Sequence, residues 1–545
     1  MRYPDILHPA KLALIGITLA STFFLTLFSE HALSKGIDPA KNRITLALQS
    51  EPPNLDSSLS SDTTSNLVLT LISEGLVKID RRGQVVPAIA ERWQQDGLEV
   101  TFYLRDALWS DGQPVTAHDF EYAFKRLVNP ETGAAGSTYF AYILEHGEDI
   151  LDGKRPVADL SVKALDNKTL WLRLSRPAPY YLTVFAGTAY RPLRQDFVEA
   201  QQGRYGADAD RLLFNGPFNM SSWVHSASLN VVKNKHYYEN DRIPLNAINF
   251  GYITSDTRSL LNLYKDEQLA ALRLNEEILK DTLNSGIRVR RETTNCLSWI
   301  MLNQDPNRIT SHKKIRQAIR YALDRDRYAN TIVGLPGTLV ANSPYSTNLK
   351  SQTGPFLQEF PPPEIEYNVA KGRQLIAEAK QELGVEEIPP IVMLINENRQ
   401  IEGEFVQSQL ENALGLDVRV DKQTFKQSIA KFYQGDFDIA RSGFCGGVFK
   451  DPVYFAGLFT SSSPFNFMAF NNARYDELMH FTHYSTDQQA RMEAFDEMQH
   501  ILLNEVAIIP TIQSAWVYIQ KNQLRGMRRF PTTDFSRARL VGIAP

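Results

Sequence analysis

Along this chain the spacing of apolar residues switches between a period of two and one of about 3.6, the signatures of strand and helix. "ITLALQSE" and residues 100–105, "VTFYLR", alternate and predict half-buried strands. "SDGQP" then marks a turn, with Gly112 free to take positive φ and Pro114 ending regular pairing. Thr116 stands three residues before Asp119, the spacing of a capping box, and Phe120, Ala123, Phe124 and Leu127 follow on one helical face. "LSVKALDNKTLWLRLSRPAPYYL" predicts two strands joined at "LDNKT" and interrupted by Pro177 and Pro179. Residues 313–333 predict one amphipathic helix with Ile315, Ile319, Ala322 and Leu323 on its apolar face. A proline-rich linker precedes a second helix ending at Gly384, and "PPIVMLIN" predicts a buried strand. A helix and a strand follow in "EFVQSQLENALGLDVRVDKQTF", then helices in "RYDELMHFTHYS" and "QQARMEAFDEMQHILLNEV". This alternation is that of an α/β protein.

At 545 residues the chain exceeds what one hydrophobic core serves, so two or three domains are expected. A net charge of −4 argues against a nucleic-acid partner. Residues 12–28, "LALIGITLASTFFLTLF", carry no charge and precede small residues in "HALSKG". That layout predicts an export signal over residues 1–34, either cleaved after Ser34 or, given its length, retained as an N-terminal anchor. The exported body holds two cysteines, Cys296 and Cys445, which are either a disulfide or two buried thiols. No G-x-S-x-G, G-x-x-x-x-G-K-[ST] or H-E-x-x-H occurs. His480 and His483 have ligand-like spacing without a third ligand nearby, and predict a solvated helix face. Neither an enzyme nor a cofactor or metal site is expected.

Several blocks resemble, in order, the extracytoplasmic solute-binding proteins of family 5, the peptide and nickel receptors of ABC importers. They are "ISEGLVKID", "VTFYLRDALWSDGQPVTAHDFEYAFKRLVNPETG", "FNGPFNMSSWVHSASLNVVKNKHYYEN", "HKKIRQAIRYALDRD", "FDIARSGFC" and "EVAIIPTIQSAWVY". "LDGKRPVADLSVKALDNKTL" and the cysteine positions are most similar to the oligopeptide-receptor branch. The resemblance implies a two-lobed periplasmic-binding-protein-like α/β fold of class II, with an extra subdomain in the first lobe. The implied boundaries are 35–73, 191–295 and 511–545 for lobe I, 74–190 for the subdomain and 296–510 for lobe II. It also implies a Cys296–Cys445 disulfide and hinge closure on a ligand. The implied partners are a peptide or peptide-like solute and a membrane permease; the protein is expected in the periplasm as a monomer.

The resemblance further places the ligand against Arg441, Ser442, Gly443, Phe444, Cys445 and Gly447, with Trp299 and Tyr139 as aromatic walls and Ser61 and Thr63 on the facing lobe. A peptide would lie there as an added strand held through its backbone. Gly443 would allow close approach, and Arg441 would meet either a ligand carboxylate or a carboxylate of the protein. Three positions depart from the peptide receptors: Gly447 replaces an aspartate that fixes the peptide's amino terminus, Ser61 replaces an acid, and Ser514 replaces a tyrosine. Asp451, which precedes Pro452, reads as structural. The alternative function is an anchored sensor or chaperone that binds without transport.

Overall fold

The computed structural model describes residues 35–134, 141–178, 180–446, 450–529 and 533–542. The predicted export segment lies outside them. Among the described residues no helix is long and apolar enough to cross a membrane.

A five-stranded sheet runs in the order Ile37–Asp38, Arg43–Leu48, Ala247–Ile253, Ser228–Lys233, Phe218–Val224. Ile44, Leu46, Leu229, Val231, Ile248 and Phe250 alternate inward from it, and Val68, Leu69 and Ile72 of the helix Thr63–Ile72 pack on that face. Leu524, Phe535 and Ala538 join the same core, so the chain's last part returns to the unit that contains its first strands.

Residues from Leu76 to Val198 enclose a separate core. Its four-stranded sheet, in the order Ala90–Asp96, Glu99–Leu104, Thr169–Arg173, Val162–Asp166, includes the three predicted strands. The helix Ala117–Val128 covers it, started by the predicted capping box of Thr116 and Asp119. Trp109 donates from Nε1 to Asp119 Oδ2 at 3.2 Å, tying the turn to the helix start.

The second large unit is built on a seven-stranded sheet, in the order Ala271–Arg273, Ile508–Gln520, Arg290–Leu302, Ile439–Cys445, Ile391–Asn396, Val418–Gln423, with Leu339–Val340 on Ile508–Gln520. Helices close both faces over two apolar cores. The helix Val369–Leu383 ends, as its sequence predicts, at Gly384 with φ 66°. The single helix predicted over 313–333 is instead broken. Lys313–Ala322 stops at Leu323, Asp324 caps a new turn by accepting from Arg327 N, and Tyr328–Val333 is wound more loosely as a π-helix that buries Tyr328 completely.

Two strands of this sheet, Arg290–Leu302 and Ile508–Gln520, are each 13 residues long and bind the units together. The last residues of Ile508–Gln520 lie beside Ala271–Arg273, and the second half of Arg290–Leu302 lies beside Ile439–Cys445. Pairing slips between Thr293 and Leu297, where three residues face Ser514 alone. Thr294 donates its hydroxyl to Ser514 O, and Gln513 Nε2 donates to Thr294 O at 3.0 Å. Such a bulge bends a strand pair while leaving it hydrogen-bonded.

Candidate functional site

The two large units face each other across a cleft. Asn398 Nδ2 donates to Gln49 O at 3.1 Å, and the hydroxyls of Ser61 and Tyr433 stand 3.4 Å apart. A cavity of about 260 Å³ lies between them, lined by Thr63, Thr64, Arg273 and Asn275 together with Asn398 and Arg399.

The strand Ile439–Cys445 carries half of the predicted contacts. It pairs antiparallel with Arg290–Leu302, Arg441 opposite Ile300, Ser442 opposite Trp299, Gly443 opposite Ser298 and Cys445 opposite Cys296. The two cysteines form a disulfide at the end of the bulge. Gly443 is exposed, but what its missing side chain admits is the neighbouring strand. A Cβ there would stand 2.4 Å from Leu297 O. Phe444 is half-buried, 5.4 Å from the Tyr454 ring and 5.5 Å from Phe465. Tyr139 and Gly447 lie outside the described residues.

Two of the predicted contacts have partners within the protein. Trp299 is 4% exposed and packs 5.5 Å from Phe459 within a core. Arg441 is held by two side chains of the protein. Its Nε donates to Glu402 Oε2 at 3.1 Å and its Nη2 to Ser298 Oγ at 3.0 Å. Glu402, on the helix Gln400–Leu414, is 0% exposed and also accepts from Arg399 Nη1 at 2.9 Å and from the Tyr328 hydroxyl. Burial alone would raise the Glu402 carboxyl; Arg441 and Arg399 outweigh it and hold it below its ordinary value. Burial disfavours the Arg441 cation, but Glu402 and Tyr328 more than compensate, and its pKa is raised. Of its two sequence readings, the protein carboxylate holds Arg441.

Asp451 accepts from Val453 N at 3.0 Å and from Arg491 Nη2 at 3.1 Å, the structural role its place before Pro452 predicts. His483 is not on a solvated face: it is buried, stacked 4.2 Å from Tyr142, with Nδ1 2.7 Å from Arg176 Nη2. The apolar unit built on residues 76–198 covers the helix Ala473–Tyr484 there, which the helix's own polarity does not reveal.

Sequence reasoning missed Arg273, Arg399, Glu402 and Trp516. Arg273 sits in "AALRLN", between the buried Leu272 and Leu274 and two residues before the helix cap Asn275. A lone cation inside an apolar strand was the available signal. Arg273 is itself exposed at the cleft, and partial desolvation first, then Arg399 and Arg441, lower its pKa. Burial, then Glu402, raises the carboxyl of nearby Glu276.

Comparison with known proteins agrees with this architecture. The profile of the bacterial extracellular solute-binding proteins, family 5, matches residues 84–467 in its middle region, and the chain belongs to that family. Its fold is the two-lobed α/β fold of periplasmic peptide-binding proteins. In sequence it is 28% identical over 452 residues to the periplasmic oligopeptide-binding protein OppA of Salmonella typhimurium, covering 80% of each chain. In structure it is similar to Listeria monocytogenes OppA bound to peptide, with TM-score 0.86 and 28% identity over 92% of this chain and all (100%) of that one. It is also similar to the Escherichia coli murein tripeptide-binding protein MppA, with TM-score 0.82 and 25% identity over 91% and 98% of the chains. Against the unliganded open form of MppA, also at 25% identity, over 92% and 97% of the chains, the score falls to 0.59.

Proposed function

We propose that this protein is the extracytoplasmic receptor of an ABC importer, which captures a peptide or peptide-like solute between its lobes and delivers it to a membrane permease. It acts in the periplasm as a monomer and performs no chemistry on its cargo. The observation that carries this reading is the cleft itself: both lobes line one cavity and the MppA likeness falls from 0.82 to 0.59 in the open form. That difference supports rigid-body closure, with the bulge at residues 294–296 as the bending point. The unit from residue 74 to 190 is read as a subdomain added to lobe I, lobe II as 296–510, and 511–545 as the return to lobe I.

Closure has a thermodynamic consequence. A solute that binds only the closed native form stabilises it, raising the melting temperature as well as reducing the radius of gyration. The test is affinity selection from a library of di- to pentapeptides, followed by small-angle scattering and melting with a retained peptide. Contraction and a raised melting temperature are expected. If no peptide is retained, or a retained one leaves both quantities unchanged, the reading fails.

The preferred peptide carries a blocked or displaced amino group. A buried ammonium needs a carboxylate, because an unpaired charge taken out of water costs several kcal/mol. Gly447 supplies none, and Asp451 is engaged by Arg491. Acetylated peptides are expected to bind at least as well as free amines, and Gly447→Asp to reverse that order. Sub-micromolar binding of free amines abolished by acetylation would refute the argument.

A further inference from the structure

The charge inside the cleft does not balance. The cavity wall holds three arginines, Arg273, Arg399 and Arg529, and among the described residues lining it there is no carboxylate. Arg399 is paired with Glu402 at 2.9 Å. Arg529 lies flat over the Tyr518 ring at 3.7 Å, with Gln520 Oε1 3.4 Å from its Nη1. Arg273 is different. Among the described residues its guanidinium has no ion pair and no hydrogen bond; it is exposed, with the face of Trp516 5.2 Å away.

Strand pairing sets that position. Arg273 lies opposite Tyr518, so Trp516, two residues along the same strand, points to the same face and sits diagonally beneath the guanidinium. An aromatic face holds a cation in place but accepts no hydrogen bond in the guanidinium plane. The stacked Arg273 therefore keeps its in-plane donors for a third group. Arg399 and Arg441 disfavour the charge on Arg273, and the carboxyls that act on these guanidiniums are Glu402 and Glu276. Glu402 is used twice over, and Glu276 is pushed toward its neutral form. Arg273, exposed at the cleft, is thus the cation without a protein carboxylate of its own.

We infer that Arg273, held on Trp516, is the anion-recognition point of the cleft and pairs with a carboxylate of the bound solute. This inference rests on the receptor reading above and specifies its substrate class: a peptide-like solute with a free carboxylate placed to enter the cavity. A planar guanidinium meets a carboxylate through two parallel hydrogen bonds, which a lysine cannot reproduce. The Arg399–Glu402–Arg441 cluster keeps its own pairing and repels a second cation, so it favours an acid over an amine at this point.

The test uses the full mature chain and a pooled library of acetylated di- to pentapeptides, each as free acid and as carboxamide, with retained species identified by mass spectrometry. The wild type is expected to retain acids over the matching amides by ~10-fold or more, the range of a charge-assisted hydrogen-bonded pair. Arg273→Met, with its fold checked by melting and circular dichroism, is expected to abolish that preference, and Arg273→Lys to restore part of it. Acids and amides retained alike by the wild type, or an acid preference that survives Arg273→Met, would overturn the inference while leaving the peptide receptor intact. Retention of neither form would instead overturn the receptor reading, and the inference with it.

Discussion

Replacing Glu402 by glutamine removes one charge from a side chain of 0% exposure while keeping its volume and one oxygen acceptor. The consequence follows from its three donors: Arg441 Nε at 3.1 Å, Arg399 Nη1 at 2.9 Å and the Tyr328 hydroxyl. Arg441, 13% exposed, cannot recover its lost partner from water, whereas Arg399, 25% exposed, partly can. Breaking a buried pair by removing one partner typically costs about 3–5 kcal/mol, because the other charge is left behind uncompensated. Glu402→Gln is therefore expected to lose stability in that range, read as a shift of the guanidinium unfolding midpoint of ligand-free protein at neutral pH. Glu402→Gln combined with Arg441→Met removes both charges, and should fall short of the sum of the single effects by ~0.5–3 kcal/mol. The pH dependence carries a definite sign. The Glu402 carboxyl is held below its ordinary value of 4.5, so its contribution is complete above 4.5 and is lost as pH falls through the lower folded value. Wild type and Glu402→Gln should thus converge in strong acid. A loss below about 1 kcal/mol at pH 7, or strict additivity with Arg441→Met, would refute this account of a buried ionic cluster.

The disulfide joins residues 149 apart and restricts the unfolded chain, so Cys296→Ala with Cys445→Ala should cost up to about 5 kcal/mol in unfolding experiments. Thiol titration of denatured, unreduced protein should find no free thiol. Gly443→Ala puts a Cβ 2.4 Å from Leu297 O, and strand separation by backbone movement should cost about 1–3 kcal/mol in melting and weaken peptide retention. Burial, then Arg176, Arg491 and His480, hold the His483 imidazole well below its ordinary 6.5. The unfolded chain therefore binds a proton first, and stability should fall as pH drops below 6.5; His483→Gln should flatten that part of a melting-temperature profile.

How far the sequence reaches is visible in particular elements. The strands at residues 43–48 and 99–104, the capping box of Thr116 and Asp119 and the helix stop at Gly384 are all local: each is set by apolar period or backbone freedom within a few residues. The break at Leu323 was also local, since Asp324 is a helix cap, yet the continuing apolar period concealed it. The cysteine pair was narrowed to two states by count and compartment, and strand register places Cys296 directly opposite Cys445.

The roles within the cleft belong to tertiary structure. In sequence, Arg441 carries the same charge whether it meets a solute or Glu402; the helix Gln400–Leu414 decides by bringing a buried carboxylate to 3.1 Å. Arg273 and Trp516 have no local relation either, and become neighbours because Ala271–Arg273 pairs with Ile508–Gln520 in one register. Periodicity fixes which side chains leave water, an energy that each residue carries by itself. The partner of a charge depends on distance and on what else competes for it, and those are properties of the folded arrangement.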